Sequence, residues 1–214
     1  MRRIIFLLVL ILFLSGCTNP TDYEEIQELK EVEVNEYEGK KLDSFERTGE
    51  VGIKGTQYID IDEYKLEITG LVEEEKSLSY EEVLDMQSYK KVVTLHCVEG
   101  WSDTLLWEGV LVKDLFSAKE GANTVIFYAV DGYSTALPLD YIVENDIIMA
   151  YKINDMILPA GNGFPFQLVA EDKYGIKWIK WITKIELSDD EDYLGYWEKR
   201  GYSNTANVGE SVFK

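Results

Sequence analysis

Apolar and polar positions along this 214-residue chain fall into short runs, and most of the runs have the period of strands. Tyr64 to Thr69 alternates apolar and polar side chains and closes on Gly70, the pattern of a strand with one buried face. Ser79-Tyr80-Glu81-Glu82 has capping-box spacing, with Val83, Leu84 and Met86 behind it, and predicts a short helix. Val92 to Leu95 and Thr124 to Val130 read as buried strands, and Ile147 to Ile153 as another. Val112 to Ser117 suggests a helical turn or two, and Leu139 to Glu144 a short helix. In a long late strand, Ile179, Trp181, Thr183, Ile185 and Leu187 share one face, while Lys180, Ile182, Lys184 and Glu186 share the other. Strands outnumber helices, so the expected class is α+β, a mixed β-sheet core with short scattered helices.

The N-terminus breaks the pattern. Arg2 and Arg3 precede an unbroken apolar run, Ile4 to Leu14, which is shorter than the ~20 residues of a membrane span. It ends in Leu14-Ser15-Gly16-Cys17, which resembles a bacterial lipobox, with a signal anchor as the alternative. The expected organisation is a signal peptide over 1–16, an acidic tether over 17–50 and one catalytic domain over 51–214. Cys17 would carry the lipid and hold the exported protein to the outer face of a membrane in the cell envelope. The paired arginines leave both general secretion and twin-arginine export open.

Charge narrows the partners. Without Arg2 and Arg3 the chain holds 19 basic and 40 acidic residues, a net charge of −21. Nucleic acid binding draws on Lys and Arg meeting phosphates, so this class is excluded.

Three stretches carry candidate chemistry. Cys97, the only cysteine after Cys17, follows the Val92–Leu95 strand into a turn marked by Gly100 and Trp101. Such a thiol is either inert packing or, as thiolate, a nucleophile or metal ligand. Residues 173–184 hold four lysines and no acid, which reads as a solvated strand edge or as an anion pocket. Leu158 to Phe166 has two glycines and two prolines, a rigid loop where backbone approaches a ligand closely, with Asn162 able to hydrogen-bond a heterocycle.

Together these stretches resemble the molybdopterin-binding domain of the sulfite oxidase family. The likeness runs from about Ile53 to Val208. It rests on Cys97 to Ser102, Trp107 to Val110, Asp131 to Ser134, Asn162 to Pro165, Tyr174 to Trp181 and Trp197 to Tyr202, six motifs in the family's order. The resemblance implies a molybdenum–molybdopterin (Mo-pterin) cofactor with Cys97 as metal ligand, since a thiolate is a soft, strongly donating partner for a metal cycling by two electrons. It also implies that Asn162 and Ala129 contact the pterin. Trp178, Ile179 and Lys180 would meet its phosphate, with Lys177 as a neighbouring basic position. Tyr202 would lie on the substrate side of the metal, or else be a surface aromatic. His96, pointing opposite to Cys97, would have a supporting or core role.

There are departures. Gln167 stands where relatives carry arginine, and after Arg47 the next arginine is Arg200, so the fully basic pocket that a doubly charged sulfite wants is missing. No haem domain and no immunoglobulin-like dimerisation domain are evident, which implies a separate electron-transfer partner, a haem protein or a membrane redox protein. The expected activity is two-electron oxygen-atom transfer on a small S- or N-oxide or sulfite-like substrate. The alternative is a cofactor- or ligand-binding lipoprotein on the same scaffold without turnover.

Overall fold

The computed structural model describes residues 29–49 and 51–214; the signal segment and Cys17 lie outside them. Among the described residues no helix is long and apolar enough to cross a membrane.

Two five-stranded sheets form the body, and the α+β expectation holds. The first sheet has the order β10-β9-β6-β5: β5 is Ser88–His96, β6 is Ser102–Leu111, β9 is Ile148–Ile153 and β10 is Met156–Ile157. Strand β11, Gln167–Val169, also pairs with β9. The second sheet runs β4-β3-β12-β7-β8, from Lys76–Leu78, Leu66–Gly70, Ile182–Ser188, Thr124–Ala129 and Ser134–Pro138. Only β3 with β12 is parallel; the other pairings are antiparallel. Strand β12 thus joins the start of the domain to its end, and Tyr64 reinforces the seam by donating its hydroxyl to the Ile182 carbonyl at 2.5 Å.

Each sheet buries an aliphatic face, and aromatic rings join the two. Phe166, just before β11, packs on Tyr64 and Tyr80 with centroids 5.8 and 5.5 Å apart. Tyr80 opens the Tyr80–Leu84 helix, whose capping box forms with both hydrogen bonds in place. In β6 the register against β9 shifts at Glu108/Gly109. A Cβ on Gly109 would lie 2.1 Å from the Met149 carbonyl oxygen, so glycine lets the two backbones touch there.

Two expectations need correction. The late strand begins at Ile182, not Ile179, because Trp181 has φ +53° and turns the chain out of extended geometry. A bulge between Ile182 and Lys184 then breaks the alternation, so Ile182 is buried with Ile185 and Leu187.

The second concerns residues 33–49, expected as part of a free-standing tether. Strands β1 (Glu36–Tyr37) and β2 (Lys40–Lys41) form a hairpin, and Leu42 and Phe45 behind it are buried. The Glu33 carboxylate accepts hydrogen bonds from Phe45 N, Ser44 Oγ and the buried Asn154 amide. Two apolar anchors and one shared carboxylate suffice to lay this acidic segment down as a strap on the domain.

Candidate active site

Strand β5 is paired along its whole length with β6, which fixes where its end delivers Cys97. The turn after it is closed by Gly100 N donating to Cys97 O at 3.1 Å and Cys97 N to Trp101 O at 2.9 Å, with Gly100 at φ +92°. The free thiol is half-buried, and Glu99 N donates to its sulfur at 3.5 Å. Burial pushes the thiol up from its ordinary value, against a smaller opposing effect of the Glu99 N–H. This is not the electropositive surrounding that activates a free cysteine nucleophile. His96 bridges to Tyr174 through backbone.

The strap links the three stretches singled out in the sequence. Arg47 lies over the Trp101 ring of the Cys97 turn, 5.5 Å from its centroid, and pairs with Asp103. One residue on, the Thr48 carbonyl accepts from Lys180 Nζ at 2.6 Å, and Lys180 also donates to Gly161 O at 2.8 Å. The Asn162 amide donates to Phe45 O at 3.1 Å and to Thr48 Oγ1 at 2.8 Å. Both side chains are buried, so Lys180 is not part of a solvated lysine edge, whereas Lys184 of the same stretch stays partly exposed beside Glu186. Gly163, at φ +104°, leaves no room beyond Lys180: a Cβ there would lie 3.0 Å from that side chain.

The segment after Lys177 is held tautly. Trp178 packs on Trp107 at 5.6 Å and donates its indole N–H to Lys173 O, while Ile179 O accepts from Leu168 N. Trp181 donates its indole N–H to Ala160 O and receives Val130 N at its carbonyl. A tryptophan at positive φ stores roughly 1–3 kcal/mol, and such outliers gather at ligand sites. Ala129 pairs with Ile182 beside this segment. Asn162, Lys180 and Ala129 therefore share one neighbourhood, tied to the Cys97 turn by the strap.

Lys177 is elsewhere. Its side chain is fully buried, and its three donors meet Glu198 Oε1 at 2.5 Å, Ala136 O at 3.0 Å and Asn204 Oδ1 at 3.4 Å. An ammonium has three donors and all are used, so the expected cofactor role of Lys177 is replaced by a structural one. Burial lowers its basicity, while Glu198 partly restores it. This partner is not legible along the chain, because Glu198 lies 21 residues away and looks like any acid in a charged run.

Tyr202 packs between Trp197 and Phe213, with ring centroids 5.1 and 4.8 Å away. Among the described residues it makes no ring contact or hydrogen bond with the Cys97 turn. Its segment nevertheless approaches that strand: Ala206 O accepts from Tyr174 N, and Tyr174 bridges His96. A cavity of about 800 Å³ lies farther along, between β7, β8 and Asn204, and contains Lys173 but none of the expected cofactor residues.

Do these residues suit the expected cofactor? Among the described residues no three His, Cys, Asp or Glu side chains gather to hold a metal. A metal held by Cys97 and carried on a dithiolene would need no such cluster. Gln167 supplies a second observation. It is fully buried, and neither its amide nitrogen nor its amide oxygen has a hydrogen-bond partner. A carboxamide seldom stays buried with both ends unmet, and a polar heterocycle would meet them. The residues fit. Arg47 and Gln167 are the polar groups sequence reading undervalued; the rarity of arginine was the available signal for the first.

Comparison with known proteins agrees. Residues 1–18 match the prokaryotic membrane lipoprotein lipid attachment site. The chain is 35% identical over 149 residues to the uncharacterized oxidoreductase YuiH of Bacillus subtilis, covering 68% of this chain and 75% of that one. It is 26% identical to the protein-methionine-sulfoxide reductase catalytic subunit MsrP of Campylobacter jejuni, covering 91% of this chain and 71% of the relative. The sulfane dehydrogenase SoxCD of Paracoccus pantotrophus shares the fold, with a TM-score of 0.62 at 18% identity over 69% of this chain and 42% of that one. Residues 53–197 match the oxidoreductase molybdopterin binding domain. The protein therefore belongs to the molybdopterin-binding oxidoreductases of the sulfite oxidase family, as a lipoprotein member whose cofactor is molybdenum–molybdopterin.

Proposed function

We propose that this protein is an exported oxidoreductase, lipid-anchored through Cys17 on the outer face of a membrane, that removes oxygen from a small S- or N-oxide. The observation that carries the reading is the Cys97 thiol, the one free cysteine among the described residues, joined through Trp101, Arg47 and Thr48 to the buried side chains Lys180 and Asn162. Cys97 would be the protein's one bond to molybdenum. When bound, the Mo-pterin group supplies two-electron redox chemistry and oxygen-atom exchange.

The chain's own residues would prepare the site. Gln167 offers a neutral donor and acceptor to the pterin, Lys180 and Asn162 pin the strap, and Trp178 and Ile179 give the phosphate a rigid backbone. Trp181 excludes water from behind that segment. Tyr202 would face the substrate. The Campylobacter relative is called a catalytic subunit of a methionine-sulfoxide reductase, which supports an S-oxide substrate and a separate electron donor, a haem protein or membrane redox protein.

A non-catalytic, cofactor-binding lipoprotein is the second reading, favoured by Gln167 in place of arginine. Metal analysis of protein made in a host competent for the cofactor separates the two when joined to a substrate screen. We expect about one molybdenum per chain, lost in Cys97→Ser while the fold persists, with turnover of an S- or N-oxide. Folded wild-type protein without molybdenum sinks the proposal; metal without turnover of sulfite, methionine sulfoxide or N-oxides favours the second reading.

A further inference from the structure

The chain has two arginines after its signal segment. Arg200 is committed, its guanidinium lying 3.5 Å from the Tyr196 ring centroid and donating to Tyr196 O. Arg47 is the one beside the Cys97 turn. Its guanidinium is engaged by both Asp103 oxygens: Nε donates to Oδ2 at 3.0 Å, and Nη2 to Oδ1. The two partners differ in freedom. The Arg47 side chain is 56% exposed, whereas Asp103 is 1% exposed and fixed within the β5–β6 ladder opposite Leu95. Asp103 cannot swing aside to release the fork.

The surrounding charges lean the same way. Asp43 adds a second negative field on Arg47, and its carboxylate is held by Thr104 N. Glu99 sits in the turn itself, near the Cys97 sulfur. Lys177 is spent on Glu198, and Lys180 donates to two carbonyls. Among the described residues around the turn, Arg47 faces Asp103 and Asp43, and Glu99 adds a third carboxylate beside the sulfur.

We propose that Asp103 is a specificity-determining residue: by occupying the guanidinium fork of Arg47 it denies that fork to a doubly charged oxyanion and leaves the Cys97 site to uncharged oxides. A bidentate carboxylate uses the same parallel N–H pair that a sulfite or sulfate would need. The inference deepens the S-oxide reading and rests on it for the position of the substrate. It also predicts a property measurable without turnover, which is anion binding.

The test is Asp103→Asn, which keeps the shape and removes the charge. Because Arg47 is largely solvated, the variant leaves no buried unpaired ion and should fold. Sulfate is titrated calorimetrically into metal-loaded and cofactor-free protein at low ionic strength. We expect D103N to bind sulfate about tenfold more tightly than the native protein, and the Arg47→Gln/Asp103→Asn double variant to lose the gain. In the loaded enzyme, kcat/KM should shift toward sulfite relative to methionine sulfoxide. Native protein that binds sulfate as tightly as D103N overturns the proposal, and so does a gain that survives Arg47→Gln. A native protein lacking molybdenum would instead sink the oxidoreductase reading, and the titration would still report on Asp103.

Discussion

The Lys177–Glu198 pair gives the sharpest prediction about stability. Both side chains have zero exposure, and Glu198 Oε1 accepts from Lys177 Nζ and from Thr135 Oγ1 at 2.9 Å. Glu198→Ala leaves an ammonium in a dry interior with only two neutral acceptors. Removing one partner of a buried pair costs about 3–5 kcal/mol. At about 2–4 °C per kcal/mol for a domain this size, the midpoint should fall by about 6–20 °C. The penalty has a pH signature. Lys177 is less basic folded than unfolded, and losing Glu198 depresses it further. Its burial cost is fully present below the folded pKa and is relieved as pH rises toward the ordinary lysine value, since the unfolded chain then binds more protons. The gap between variant and native should therefore narrow from pH 7 to pH 10. Replacing both residues, Lys177→Met/Glu198→Leu, should recover most of the loss. Thermal unfolding followed by circular dichroism reads all three variants. A loss under about 1 kcal/mol for E198A, or a double variant no better than the single, would refute the reasoning.

Two other outcomes follow from buried polar groups. Gln167→Leu removes an amide that lacks partners in the cofactor-free protein, so it should stabilise that form by about 1–3 kcal/mol while weakening retention of the pterin on dialysis; destabilisation of the cofactor-free form would count against an orphaned amide. Burial pushes the Tyr80 phenol up to about 12, and Tyr64 is raised further. A phenol whose folded pKa is raised contributes stability that is present below its unfolded value near 10 and lost above it. Each should therefore cost about 1.4 kcal/mol per pH unit beyond 10. Urea midpoints at pH 9, 10 and 11 test this, and Tyr64→Phe should flatten the fall.

Local signals survived the passage from sequence to structure better than long-range ones. Ser79 to Glu82 announced a helix because both halves of its cap lie within four residues. The apolar run before Cys97 announced a strand because burial needs only apolar side chains. The strap was invisible for the opposite reason: Glu33 meets Asn154 across 121 positions, and an acidic segment has no composition that distinguishes docked from solvated. Lys180 misled by chemistry. An ammonium among lysines suggests a solvated edge, yet this one sits beneath Thr48, 132 residues earlier in the chain. Trp181 misled by periodicity, since a single left-handed residue resets which face follows.

The strap has a consequence for reach. With residues 33–49 fastened to the domain, only residues 18–32 separate it from Cys17, and fifteen residues at full extension span at most ~54 Å. An acyl chain on Cys17 would keep the domain on a short leash, its strap within about 5 nm of the lipid headgroups. A redox protein embedded in the same bilayer would then meet it by searching a plane instead of a volume.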